Sequence, residues 1–132
     1  MEYARHVLGI AEAQHEEVEP QATCLVVNQL SCSLVGQMAT LQVTPGSRAA
    51  TLYGQGEVTV SYFCNYGLNP AFRDAMIEGG MRITGNDANG EVRMVELPQH
   101  PFFMATLFLP QATSAPETPD PLIVGYLQAA MV

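Results

Sequence analysis

The sequence predicts an α/β protein from which an antiparallel hairpin departs. Three observations carry that expectation. Helical and strand-like segments alternate along the chain, the turn Asn86-Asp87-Ala88-Asn89-Gly90 joins two alternating runs, and Cys24 to Val27 and Phe102 to Leu109 are continuous apolar stretches. Such stretches suit strands buried in a sheet, and the turn has the residues a hairpin requires.

Taken in order, Glu2 to Ala13 predicts a helix. Tyr3, Val7 and Ile10, with Ala4, Leu8 and Ala11, fall on one broad face, and Gly9 is a local weakness. No Ser, Thr, Asp or Asn precedes it, so no side-chain cap is expected. The acidic stretch His15 to Pro20 reads as a loop, followed by a strand over Cys24 to Val27. Met38 to Val43 alternates weakly and ends in the turn Thr44-Pro45-Gly46-Ser47, after which Arg48 to Tyr53 suits a short helix. Glu57 to Tyr66 is rich in Val, Thr, Tyr and Phe and predicts one strand; Asn69-Pro70 then opens a helix that the Gly79-Gly80 pair ends. Met81 to Gly85 and Glu91 to Leu97 form the hairpin, and Phe102 to Leu109 predicts a strand buried on both faces. A Pro-rich loop from Gln111 to Pro119 leads to a final helix at Asp120-Pro121, with Leu122, Val124, Tyr126, Leu127 and Ala130 on its buried side.

The 132 residues suit one domain over residues 1–132, with no internal repeat or linker. A hydrophobic share of 48% implies a packed core. No apolar run approaches the roughly 18 residues of a membrane span, and the opening residues lack the apolar centre of a signal peptide. The expected location is the cytoplasm. Five arginines, no lysine and thirteen acids give a formal charge of −8, the wrong sign for phosphate backbones or anionic lipid. Neither nucleic acid nor membrane is an expected partner. Three cysteines without a CxxC pair fit reduced thiols.

Few residues suggest chemistry on their own. Cys32, between two serines, and Cys64, beside Asn65, are candidate reactive thiols, with a buried or turn role as the alternative for each. His15-Glu16-Glu17-Val18-Glu19 has glutamate where a zinc-binding HExxH needs a second histidine, so a solvated acidic loop is expected. Asp87 and Asn89 are turn formers, well short of a calcium loop. No Gly-rich segment has the spacing of a phosphate cradle. No metal and no cofactor are expected.

The run Glu96-Leu97-Pro98-Gln99-His100-Pro101-Phe102-Phe103-Met104-Ala105-Thr106-Leu107-Phe108-Leu109-Pro110-Gln111 resembles the closing segment ELPxHPFFxATxFHPE of the C-terminal class I glutamine amidotransferase domain of CTP synthase. Glu2 to Gly9 is similar to the helix after that domain's nucleophile. Thr44 to Gly54 is similar to its PGxxAxxLYG, Tyr66 to Pro70 to its YEVNP, and Pro121 to Leu127 to its PLFxGFI. The resemblance implies a partial amidotransferase-like, flavodoxin-like three-layer fold, and a structural role for His100. It also implies a damaged site. The His and Glu of the family's Cys-His-Glu triad are matched by Leu109 and Gln111, and the arginine that grips substrate carboxylate is matched by Asn65. Leucine cannot take a proton, and glutamine carries no charge to stabilise an imidazolium.

The family's nucleophile turn precedes its first helix, and here Met1 stands where that turn should already have ended. The expectation is a chain lacking the N-terminal half with the nucleophile. Ser31-Cys32-Ser33-Leu34, Cys64 to Pro70 and Leu107 to Gln111 resemble a narrower group, small free-standing proteins related to the C-terminal region of CTP synthase, some with selenocysteine at that turn. A UGA codon read as a stop upstream of an internal start would explain Met1. Three functions are therefore expected to compete: a remnant unable to hydrolyse glutamine, a pseudoenzyme that binds a ligand or partner, and a thiol or selenol redox protein using Cys32 or Cys64. The partner expectation is self-association, or an N-terminal segment that completes the sheet.

Overall fold

The computed structural model describes residues 1–132. Its two sheets differ in size and character. The larger has the strand order β4-β3-β6-β7-β8, formed by β3 (Gln37–Val43), β4 (Glu57–Tyr62), β6 (Arg82–Asn86), β7 (Val92–Glu96) and β8 (Met104–Thr106). Every neighbouring pair in it is antiparallel. The smaller has the order β1-β2-β5, with β1 (Gln14–His15) parallel to β2 (Leu25–Gln29) and β2 antiparallel to β5 (Tyr66–Leu68).

Local signals built several elements as expected. Helix α2 (Arg48–Tyr53) is capped by Ser47, whose Oγ accepts from the Ala50 N–H at 3.0 Å, and ends at Gly54 with φ 67°. Asn69 caps the turn Pro70–Phe72 by accepting from Ala71 N–H, and that turn runs into α3 (Arg73–Glu78). In the hairpin between β6 and β7, Asp87 Oδ1 accepts from the N–H groups of Asn89 and Glu91. Asp87 is thus a turn former, as its type predicted.

Other elements depart from expectation. The first helix, α1 (Glu2–His6), stops well short of Ala13. Gly9 takes φ 71°, and the chain folds back so that Ile10 N–H reaches the Ala4 carbonyl at 2.9 Å. Ala4 and Ala13 are both fully buried by this turn, so the apolar face survives without a continuous helix. The expected loop from His15 begins with a β1 residue. Glu57 to Tyr66 is not one strand, because Leu34 and Leu30 N–H groups bond the carbonyls of Cys64 and Asn65 at 3.0 and 2.8 Å and draw the backbone towards β2. The chain leaves one sheet at Tyr62 and joins the other at Tyr66.

Phe102 to Leu109 is also corrected. Only Met104–Thr106 is strand, at the edge of the larger sheet, and its burial alternates. Met104 and Phe108 pack into the main core, whereas Phe103 and Ala105 are exposed. The loop after it contains a helical turn, α4 (Pro110–Thr113). Helix α5 (Pro121–Ala130) is capped by Asp120 and buries Leu122 and Gly125, while Tyr126 and Leu127 are 57% and 54% exposed, against expectation. A Cβ at Gly125 would lie 2.7 Å from Leu52, so the close approach of α5 to α2 sets which face is buried.

Two cores result. The main one joins Leu41, Val43, Val60, Tyr62, Met94, Phe108 and Leu122 with Ala49 of α2. The second, Ala4, Ala13, Val26, Met76 and Met81, lies beneath α1.

Candidate functional site

The sequence-predicted site residues gather at one corner, where β4 gives way to β5. Residues 31 to 33 arch outwards between the two hydrogen bonds from Leu30 and Leu34 to the backbone at 64 and 65. Cys32 is exposed on that arch. Cys64 beneath it is half-buried and its thiol donates to the Leu107 carbonyl at 3.6 Å. Tyr62 bridges Phe108, and Leu109 N–H donates to the Ser61 carbonyl at 2.8 Å, so the segment leading into α4 lies beside Cys64. Leu109 begins α4, and Gln111 is exposed on its first turn. Asn65 is exposed, with its carbonyl held by Leu30.

This corner is arranged but not activated. Burial pushes the Cys64 thiol up, and the nearby Arg93 guanidinium only partly opposes it. A neutral thiol is a weak nucleophile, and Leu109 and Gln111 beside it offer neither an imidazole nor a carboxylate. No group of three or more His, Cys, Asp or Glu residues is placed to hold a metal ion. No helix is long and apolar enough to cross a membrane.

Two residues that residue type alone did not single out organise the surroundings. Arg93 is 7% exposed and donates from Nε and Nη2 to Asp87 Oδ2 at 3.1 and 2.8 Å. The pair stands near the buried Tyr62, whose hydroxyl burial pushes up to about 12 while Arg93 acts in the opposite direction. Glu96 is 2% exposed and accepts from the N–H groups of Arg48 and Ala49 at 3.2 and 3.4 Å. With Ser47 it satisfies the first turn of α2. The alternation of β7 offered a faint signal for both, but their partners lie on other turns of the chain. His100 is structural: its carbonyl accepts from Arg48 Nη2 at 3.0 Å and its Nδ1 from Phe102 N–H at 3.1 Å.

An apolar cavity lies elsewhere. A groove of about 700 Å³ runs between α1, the small sheet and the β7–β8 edge, and none of Cys32, Cys64, Asn65, Leu109 and Gln111 lines it.

Comparison with known proteins identifies this arrangement. The chain is 37% identical over 147 aligned residues to CTP synthase of Bifidobacterium longum and 35% identical over 141 to that of Nostoc punctiforme, each covering 99% of this chain. It spans about a quarter of the length of these curated relatives, 27% and 26% respectively. Its fold matches the glutaminase domain of Trypanosoma brucei CTPS, solved with bound acivicin, at a TM-score of 0.90 and 24% identity, covering 97% of this chain and 54% of that one. No protein-family model matches. The architecture is the class I amidotransferase, flavodoxin-like α/β fold, and the chain is homologous over nearly its whole length to the C-terminal glutaminase region of CTP synthase.

Proposed function

We propose that this chain is a glutaminase-type scaffold that does not hydrolyse glutamine. The observation that supports this reading is the corner at Leu109 and Gln111. The backbone there is held in place by the Leu109 to Ser61 hydrogen bond, yet the two side chains offer no proton acceptor and no charge. A thiol supplied to this corner would meet no general base at Leu109 or Gln111. The test is release of glutamate and ammonia from glutamine by the purified chain. The expected result is a rate equal to buffer, and turnover abolished by Cys64→Ser would overturn the proposal.

Thiol chemistry is the second reading, favoured by the arch that carries Cys32 above the backbone of Cys64. In it Cys32 or Cys64 resolves an oxidised partner thiol or selenol: the resolving thiolate attacks the partner's oxidised chalcogen, a mixed bond forms, and water or the reduced leaving group departs. Burial of Cys64 makes exposed Cys32 the better attacking group.

A further inference from the structure

We infer that Asn89-Gly90, at the tip of the β6–β7 hairpin, is a self-modification site, where the chain converts its own asparagine amide into aspartate and isoaspartate. The reaction consumes water alone and uses neither Leu109 nor Gln111, so it stands apart from the glutaminase reading. Three observations carry it.

The first is selectivity within the chain. Of five asparagines, Asn89 alone is followed by glycine. The backbone nitrogen after an asparagine can reach the side-chain Cγ and close a five-membered ring, and the approach is least hindered where that next residue has no Cβ. The other four are obstructed. Asn69 precedes Pro70, which has no N–H to lose, and its amide is engaged at both ends, Oδ1 by Ala71 N–H and Nδ2 by the Leu25 carbonyl. Asn28 is paired with Gly67 between β2 and β5, Asn65 precedes Tyr66, and Asn86 precedes Asp87 with its own Oδ1 buried.

The second is freedom at the site. Asn89 and Gly90 are both exposed, and Asn89 is held through its backbone N–H, which donates to Asp87 Oδ1 at 2.9 Å, rather than through its side chain. Gly90 takes φ 80°, and a Cβ there would meet nothing within 4 Å. One restraint remains, because Gly90 N–H donates to the Asp87 carbonyl at 3.0 Å. Attack therefore waits on opening of the turn, which costs little at an exposed hairpin tip.

The third is what the turn holds. Asp87 Oδ1 also accepts from Glu91 N–H at 3.0 Å, and its Oδ2 accepts from Nε and Nη2 of Arg93, which is 7% exposed. A longer backbone inside this turn loosens the partner of a buried guanidinium.

The Gly90 nitrogen gives its proton to solvent and bonds to Asn89 Cγ. The Cγ–Nδ2 bond breaks, ammonia leaves with a solvent proton, and a succinimide remains. Water then opens the ring. Cleavage of the bond from the ring nitrogen to Cγ gives aspartate. Cleavage of its bond to the main-chain carbonyl carbon gives isoaspartate, whose backbone runs through Cγ and is one carbon longer. Nothing is oxidised or reduced. Each chain releases a single ammonia and no glutamate, which separates this reaction from glutamine turnover. Aspartate adds only a negative charge to a chain already at −8, whereas isoaspartate also lengthens the loop that Asp87 closes onto Glu91.

The experiment incubates the purified chain in mildly alkaline buffer and follows it by peptide mapping with mass spectrometry. Isoaspartate is counted by enzymatic methyl transfer from S-adenosylmethionine to its free carboxylate. The peptide holding Asn89 should convert at least about tenfold faster than those holding the other asparagines, and faster still as pH rises. Asn89→Gln, which would have to close a six-membered ring, should not convert. The aged chains should unfold at a lower urea midpoint than Asn89→Asp, which carries the charge alone, with the folded-to-unfolded ratio lowered about fivefold or more. Asn89→Asp itself should stay within about fivefold of the parent, as an exposed charge does. An Asn89 that stays intact while a free peptide of residues 86–92 converts, or another asparagine that converts first, would overturn the site. Aged chains as stable as Asn89→Asp would overturn its link to Arg93.

Discussion

Replacing Glu96 by alanine tests whether the segment that marks the family is a scaffold. The carboxylate is 2% exposed and receives two helix N–H groups, at 3.2 and 3.4 Å. Removing it leaves both without their partner. An unsatisfied buried N–H costs about 1–3 kcal/mol. Both bonds are long, and Arg48 N–H is only partly buried, which places the pair near the lower end, at about 2–3 kcal/mol together. Loss of negative charge at the helix N-terminus adds about 0.5 kcal/mol. Against this, the variant no longer buries a carboxylate whose nearest cation, Arg82, stands 3.9 Å away and is 39% exposed. The expected net loss is about 2 kcal/mol, or roughly 6–10 °C in Tm for a domain of this size. Glu96→Gln retains one acceptor oxygen and should lose about half as much. The assay is urea unfolding at neutral pH, with the midpoint lowered and the m-value unchanged. An alanine variant within about 0.5 kcal/mol of the parent, the range of an ordinary surface change, would refute the capping role.

Two further outcomes follow from titratable groups. Burial raises Asp120 above the ordinary 3.8, although the N–H groups of Leu122 and Ile123 and the Tyr53 hydroxyl oppose it. The folded state therefore holds the proton more tightly than the unfolded chain, and stability falls as pH rises from the ordinary carboxylate value through the raised one. Asp120→Asn keeps an acceptor for Leu122 N–H and removes the titration, so urea unfolding from about pH 3 to about pH 7 should show the parent losing ground to the variant; a gap moving in the parent's favour would count against the burial argument. Iodoacetamide with mass-spectrometric mapping should label exposed Cys32 first and Cys64 at least roughly tenfold more slowly at neutral pH, because Cys64 is half-buried with its thiol pushed up. Equal labelling would mean that the corner activates Cys64 after all.

What the sequence made legible was local. Ser47 before α2, Asn69-Pro70 before α3 and the Asp87 turn each satisfy backbone groups within a few residues, so residue type alone predicts them. The errors arose where distant segments decide. Tyr62 to Tyr66 has the composition of a strand, but the Leu30 and Leu34 N–H groups divide it between two sheets. Phe102 to Leu109 is apolar enough for the centre of a sheet, yet it lies at an edge beside the groove, so its alternate residues remain exposed.

The site followed the same division. Glu96 and His100 lie in the segment that made the family recognisable, and both are engaged in holding α2 and the turn before β8. Leu109 and Gln111 follow in the same run, where the Leu109 backbone donates to the Ser61 carbonyl and accepts from Ala112 N–H, and Gln111 is exposed. The exposed Gln111 side chain can therefore change without disturbing a buried partner, whereas a change at Glu96 strands two helix N–H groups. Stability therefore constrains Glu96 more tightly than Gln111, so the first part of the run can keep its signature whatever side chain stands at its exposed end.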